Sequence, residues 1–128
     1  MRPVNAQLRA PLLTPEQHNM LLNNGRINRQ RRDAGLLEED FSPVVKLFTP
    51  DSGGTWLLSE IDPEQPDIAF GLCDQGQGDP EVGNVSLAEL AEVRGWTDLP
   101  IERDLYFTAM KTIAAYAEEA ISAGRITA

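Results

Sequence analysis

A chain of 128 residues with one cysteine, Cys73, and one histidine, His18, is long enough for one domain with a sizeable core; it has no internal disulfide and no zinc site of the usual Cys/His type. No apolar run approaches the roughly 20 residues of a membrane-spanning helix, and the start lacks the apolar core of a signal peptide, so a cytoplasmic protein with no membrane partner is expected. The net charge of −9 is unevenly placed: the first 33 residues carry six arginines against Glu16 and Asp33, whereas the remaining 95 carry five basic and eighteen acidic side chains.

In chain order, Thr14-Pro15-Glu16-Gln17 is a helix start, with Thr14 as cap, Pro15 in the first helical position and Gln17 completing a capping box. Asn23-Asn24-Gly25 is its expected stop, and the following "RINRQRRDAGLLEEDFSP", which has no clean period, is expected to be an irregular linker. The period then becomes two. "VVKLFT" and "TWLLSEI" flank the turn residues Pro50-Asp51-Ser52-Gly53-Gly54 as a hairpin, and "IAFGLC" supplies a third strand after a Pro-rich loop. A loop dense in glycine and acid follows, then a brief pairing at Asn84-Val85, then the capping box Ser86-Leu87-Ala88-Glu89, which opens a helix through Arg94 stopped by Gly95. Phe107, Met110, Ile113, Ala114, Ala117 and Ile121 recur at helical spacing in a last helix ending at Gly124.

These elements predict an α+β fold: a small antiparallel β-meander of three to four strands packed with about three helices. One domain is expected overall, with residues 1–40 forming an N-terminal helix and basic linker and residues 41–128 the core with its C-terminal helix.

The residue types restrict the chemistry. No pattern marks a serine or cysteine nucleophile, and Gly76-Gln77-Gly78 is followed by no Lys-Ser/Thr pair and accompanied by carboxylates that repel phosphate. A metal-dependent nuclease is the one catalytic option left open; its acids would be Glu81, Glu102 and Asp104, with Glu60 and Asp62 also available, and its lysine Lys46. No cofactor or structural metal is called for. Trp56 and Trp96 are the candidate stacking or binding aromatics, and Arg26, Arg29, Arg31 and Arg32 form an arm that could approach nucleic acid.

The segments "LLTPEQ", "PVVKLFTPDSGGTWLLSE", "FGLCDQG", "EVGNVSLAELAEVRG" and "LPIERDLYF", in that order and spacing, resemble the bacterial family known as domain of unknown function 2958, over about residues 12–107. The resemblance implies a plasmid, phage or conjugative-element context. Some members are labelled single-stranded DNA endonucleases, but no catalytic residues carry over. The C-terminal helix lies outside the resembling region. Poor in catalytic residue types and acidic in its body, the chain is expected to be a non-enzymatic accessory protein that binds another protein; one form of this reading is an anti-defence DNA mimic. Arg94, Trp96, Glu102, Arg103, Asp104 and Trp56 are its expected binding residues. A metal-dependent single-stranded DNA nuclease and a nucleic-acid-binding module acting through the arginine arm are the alternatives. No sequence feature sets an oligomeric state.

Overall fold

The computed structural model describes residues 12–128. Helix α1, Pro15–Asp33, opens on the expected capping box: Thr14 accepts from the Gln17 N–H at 3.1 Å while the Gln17 side chain accepts from the Thr14 N–H at 3.0 Å. It does not stop at Gly25. It runs through the arginine-rich segment to Asp33, so the first half of the expected linker is helix. Gly25 is a packing residue, because a Cβ there would lie 1.8 Å from the Ile61 carbonyl oxygen.

The strands are β1 (Val45–Phe48), β2 (Thr55–Ile61), β3 (Ile68–Asp74), β4 (Glu81–Ser86) and β5 (Glu102–Arg103), in the order β4-β3-β2-β1-β5. All neighbours pair antiparallel. The hairpins form where alternation and turn residues place them. Two features exceed the expected meander: β4 pairs over its whole length, and Glu102–Arg103 adds a fifth strand against β1. With helix α2 (Leu87–Glu92) and helix α3 (Ile113–Ala123), the described residues form three helices and a five-stranded sheet, an α+β fold.

Strand alternation sends neighbouring side chains to opposite faces, and each face is covered. On one, Leu47, Trp56, Leu58 and Ala69 pack with Leu21 of α1 and Leu90 of α2. On the other, Leu57 and Leu72 pack with Ile113, Tyr116, Ala117 and Ala120 of α3. Burial of each such leucine stabilises the fold by about 1.5–3 kcal/mol.

β1 pairs with β2 only as far as Leu58, which leaves residues 59–61 without a neighbouring strand on that side among the described residues. The second half of α1 takes the vacant place. Asn24 donates to the Ser59 carbonyl at 2.9 Å, Gly25 lets the helix backbone approach Ile61, and Asn28 donates to Glu60 at 2.9 Å. Polar groups therefore seat this part of the helix, which is why no apolar period marks it.

Helix α3 starts later than its apolar stripe suggests. Thr112 caps it, accepting from the Ala115 N–H, so Phe107 and Met110 precede the helix; Met110 and Ile121 are exposed, and the buried stripe is Ile113, Tyr116, Ala117 and Ala120. Helix α2 ends at Glu92, short of the expected Arg94, because Val93 turns extended and Arg94 forms a bridge to Pro100. No helix among the described residues is long and apolar enough to cross a membrane.

Candidate functional site

Of the expected nuclease residues, Lys46, Glu102 and Asp104 lie at one edge of the sheet and Glu81 at the other. Glu81 lies on β4 at one edge of the sheet, Glu102 on β5 and Asp104 just after it at the other. Four strand spacings separate the edges, about 19 Å, too far for a shared metal ion. Lys46 lies 3.5 Å from Asp104 and donates to the carbonyl of Ala128 at 2.5 Å, so its ammonium joins β1, the residue after β5 and the segment that follows α3. Among the described residues no group of three or more His, Cys, Asp or Glu side chains is arranged to hold a metal ion.

Trp56 is 5 % exposed and belongs to the core on the α1/α2 face, so it is no stacking platform. Arg94 turns back on its own helix, donating to the Ala91 carbonyl at 3.1 Å and the Val93 carbonyl at 2.8 Å, a cap on the unsatisfied end of α2. Within the arginine arm, Arg29 meets Glu64 at 2.7 Å and Arg32 meets Glu38 at 2.7 Å, while Arg31 lies 3.9 Å from Glu39 and donates to the Leu37 carbonyl at 2.5 Å. Glu64 and Asp33 hold the Arg29 guanidinium above its already high ordinary value. Arg26 is exposed. Most of the arm is thus turned onto carboxylates of the same chain, which sequence distance concealed.

Trp96 is 93 % exposed at the tip of a closed loop. The Gly95 N–H donates to the Leu99 carbonyl at 2.9 Å and the Asp98 N–H to the Gly95 carbonyl at 3.0 Å, with Asp98 in the left-handed region at φ 65°. Asp51, from the β1–β2 turn, accepts from both the backbone N–H and the hydroxyl of Thr97. Those two bonds hold its carboxyl below the usual carboxylate range. Beyond the loop, β5 carries exposed Glu102 and half-buried Arg103. The Asp104 side chain then accepts from the Tyr106 N–H at 2.9 Å, in a turn that leaves Tyr106 93 % exposed and Leu105 74 % exposed. The charged triplet and Trp96 therefore share one edge of the sheet with an aromatic residue, Tyr106, that the sequence reading did not single out. Its signal in the sequence is its place in "LPIERDLYF", directly after the charged triplet and Leu105.

Asn28, 1 % exposed, is fully engaged: besides Glu60, it donates to the Glu39 carbonyl at 3.1 Å and accepts from the Glu39 N–H at 2.7 Å. Burial pushes the Glu60 carboxyl up, against the opposing effect of the Asn28 bond. A raised acid favours the folded state in its neutral form. Its contribution is complete below the unfolded glutamate range and is lost as pH rises through the raised folded value. Glu60→Gln, which keeps an acceptor for Asn28, should therefore raise the melting temperature near neutral pH, and the gap from wild type should close as the solution is acidified below pH 4 or so. A pH series of thermal melts measures it; a gap unchanged by pH would show that the charge is not the cause. Cys73 is likewise pushed up, to about 11, by burial and by Glu81, so its thiol stays protonated at neutral pH.

No curated protein and no solved structure matches the chain. A family model matches residues 12–127, well past the region resembled in sequence, so the C-terminal helix α3 falls within the match. That model is described as "protein of unknown function (DUF2958)", and the chain belongs to that family.

Proposed function

We propose that the chain is a non-enzymatic protein-binding module, an accessory protein of a plasmid, phage or conjugative element, that engages its partner through the β5 edge. The observation that carries this reading is the pair Trp96 and Tyr106, each 93 % exposed on backbone fixed by hydrogen bonds. Trp and Tyr side chains have only two rotatable torsions, so they lose little conformational freedom on binding, and such aromatics dominate interface energetics. Leu99 and Leu105, also exposed, are near them in the chain, and Glu102 lies between in sequence. The separation of the acids and the internal pairing of the arginines supply no comparable support for cleavage or for nucleic-acid binding.

Capture from bacterial lysate with wild-type bait and with a Trp96→Ala/Tyr106→Ala bait tests it. The double variant should retain the wild-type melting temperature, because exposed substitutions change stability by about 0.5 kcal/mol or less, and it should lose the proteins that wild type retains. Capture of the same proteins by both baits, or of none by wild type at low salt, would overturn the reading.

A further inference from the structure

The two edges of the sheet are built differently. β5 is two residues long, a blunted edge of the kind that avoids unwanted strand pairing. β4 is six residues, "EVGNVS", with no lysine, no proline and no break in its register with β3. The ladder fixes which of its backbone groups point outward. Leu87 donates to the Asp67 carbonyl in line with the β3–β4 register, so residues 81, 83 and 85 face β3, and Val82, Asn84 and Ser86 direct their N–H and C=O groups away from the sheet. Among the described residues no strand pairs with β4 on that side, so the outward groups of Val82 and Asn84 have no ladder partner, whereas the Ser86 carbonyl is taken up by the first turn of α2.

A cavity flanks this edge on each face. One of about 650 Å³ reaches β4 at Asn84, Val85 and Ser86 and is bounded by Leu90, Val93 and Trp56. The other, about 580 Å³, reaches it at Val82 and Asn84 and is bounded by Phe70 and Ile113 together with Asp40, Glu60 and Asp62. Nothing described lies within 4 Å of where a side chain on Gly83 would begin.

Charge selects the occupant. Between Lys46 and Arg94 the chain has ten carboxylates and no lysine, arginine or histidine, and β2, β3, β4 and α2 all come from this stretch. In the second cavity Arg32, the one cation of the lining, meets Glu38 at 2.7 Å, while Asp40, Glu60 and Asp62 accept from the Ala114 N–H, the Asn28 amide and the Glu64 N–H, so the lining carries a surplus of negative charge. We propose that the β4 edge receives an extended segment of another protein as a sixth strand, with lysine or arginine side chains entering the carboxylate-lined cavity on the α3 face and apolar side chains entering the Leu90–Val93 side on the α2 face. Main-chain pairing supplies the attachment and the alternating cavities the selectivity. A second copy of this chain is the poorer occupant, because edge-to-edge pairing would join two acidic surfaces. This site is apart from the Trp96/Tyr106 edge, so either proposal can fail alone.

A labelled peptide of alternating lysine and valine, titrated by fluorescence anisotropy, tests it. Asn84→Pro removes an outward N–H and should spare the β3 ladder, and Asn84→Ala, which removes the cavity-lining side chain alone, is its control. The proline variant should weaken binding about tenfold or more against that control. The same peptide N-methylated at alternate residues should lose binding to the unaltered protein, and a glutamate–valine counterpart should not bind. Equal binding of the N-methylated peptide would overturn the proposal, whatever the fate of the proline variant. So would wild-type self-association, seen by sedimentation and abolished by Asn84→Pro, because the edge would then belong to a second copy.

Discussion

Gly25→Ala should cost about 3 kcal/mol of unfolding free energy or more, read from urea denaturation. In an ordinary helix interior the same change stabilises by about 1 kcal/mol, since alanine loses less backbone entropy and glycine is among the poorest helix formers. The opposite sign follows here from what a Cβ would meet: the Ile61 carbonyl oxygen at 1.8 Å, the Ile61 carbonyl carbon at 2.9 Å and the Pro63 ring at 3.3 Å. None of these is the free end of a flexible side chain. The helix would have to withdraw from β2, stretching the Asn24–Ser59 and Asn28–Glu60 bonds and lifting Leu21 from a core where it is 0 % exposed. The sign alone is decisive: a stabilised alanine variant would mean that α1 does not lie along residues 59–61.

The same contact explains what could be read from the sequence and what could not. Elements seated by apolar side chains announced themselves. β2 runs over Thr55–Ile61, where alternation put it, and the start of α1 follows from the Thr14 capping box alone. The second half of α1 is seated by Asn24, Gly25 and Asn28, two amides and a missing side chain, which produce no hydrophobic period and look locally like a stop. β5 escaped for another reason: two residues have no pattern, and the pairing of Leu47 with Arg103 and Phe48 with Glu102 joins distant parts of the chain. The candidate site was legible in the same measure. Trp96 beside a glycine could be identified as a loop residue, but the Asp51–Thr97 bonds that hold the loop, and the acids that meet Arg29 and Arg32, depend on tertiary approach.

Gly71→Ala should be as damaging as the change at Gly25, at about 3 kcal/mol or more, a large part of the 5–15 kcal/mol that stabilises a typical domain. Gly71 sits on β3 opposite Leu58, where the β2–β3 register shifts between Leu58 and Glu60. The irregularity brings the two backbones together, and a Cβ would stand 1.9 Å from the Leu57 carbonyl oxygen and 2.8 Å from the Leu58 Cα. Relief requires parting the two central strands, whose side chains at Leu57, Leu58 and Leu72 are each 0 % exposed. Alanine and serine at this position should therefore cost nearly the same, because the clash begins at Cβ and the hydroxyl adds little to it. Thermal melts of Gly71→Ala and Gly71→Ser measure the cost, and a variant as stable as wild type would show that the strands do not close here. Any variant that still folds carries a second consequence. β4 hangs on β3 through the Gly71–Gly83 pair, so a displaced β3 backbone should misalign the outward groups of β4 and weaken lysine–valine peptide binding beyond what the lost stability explains.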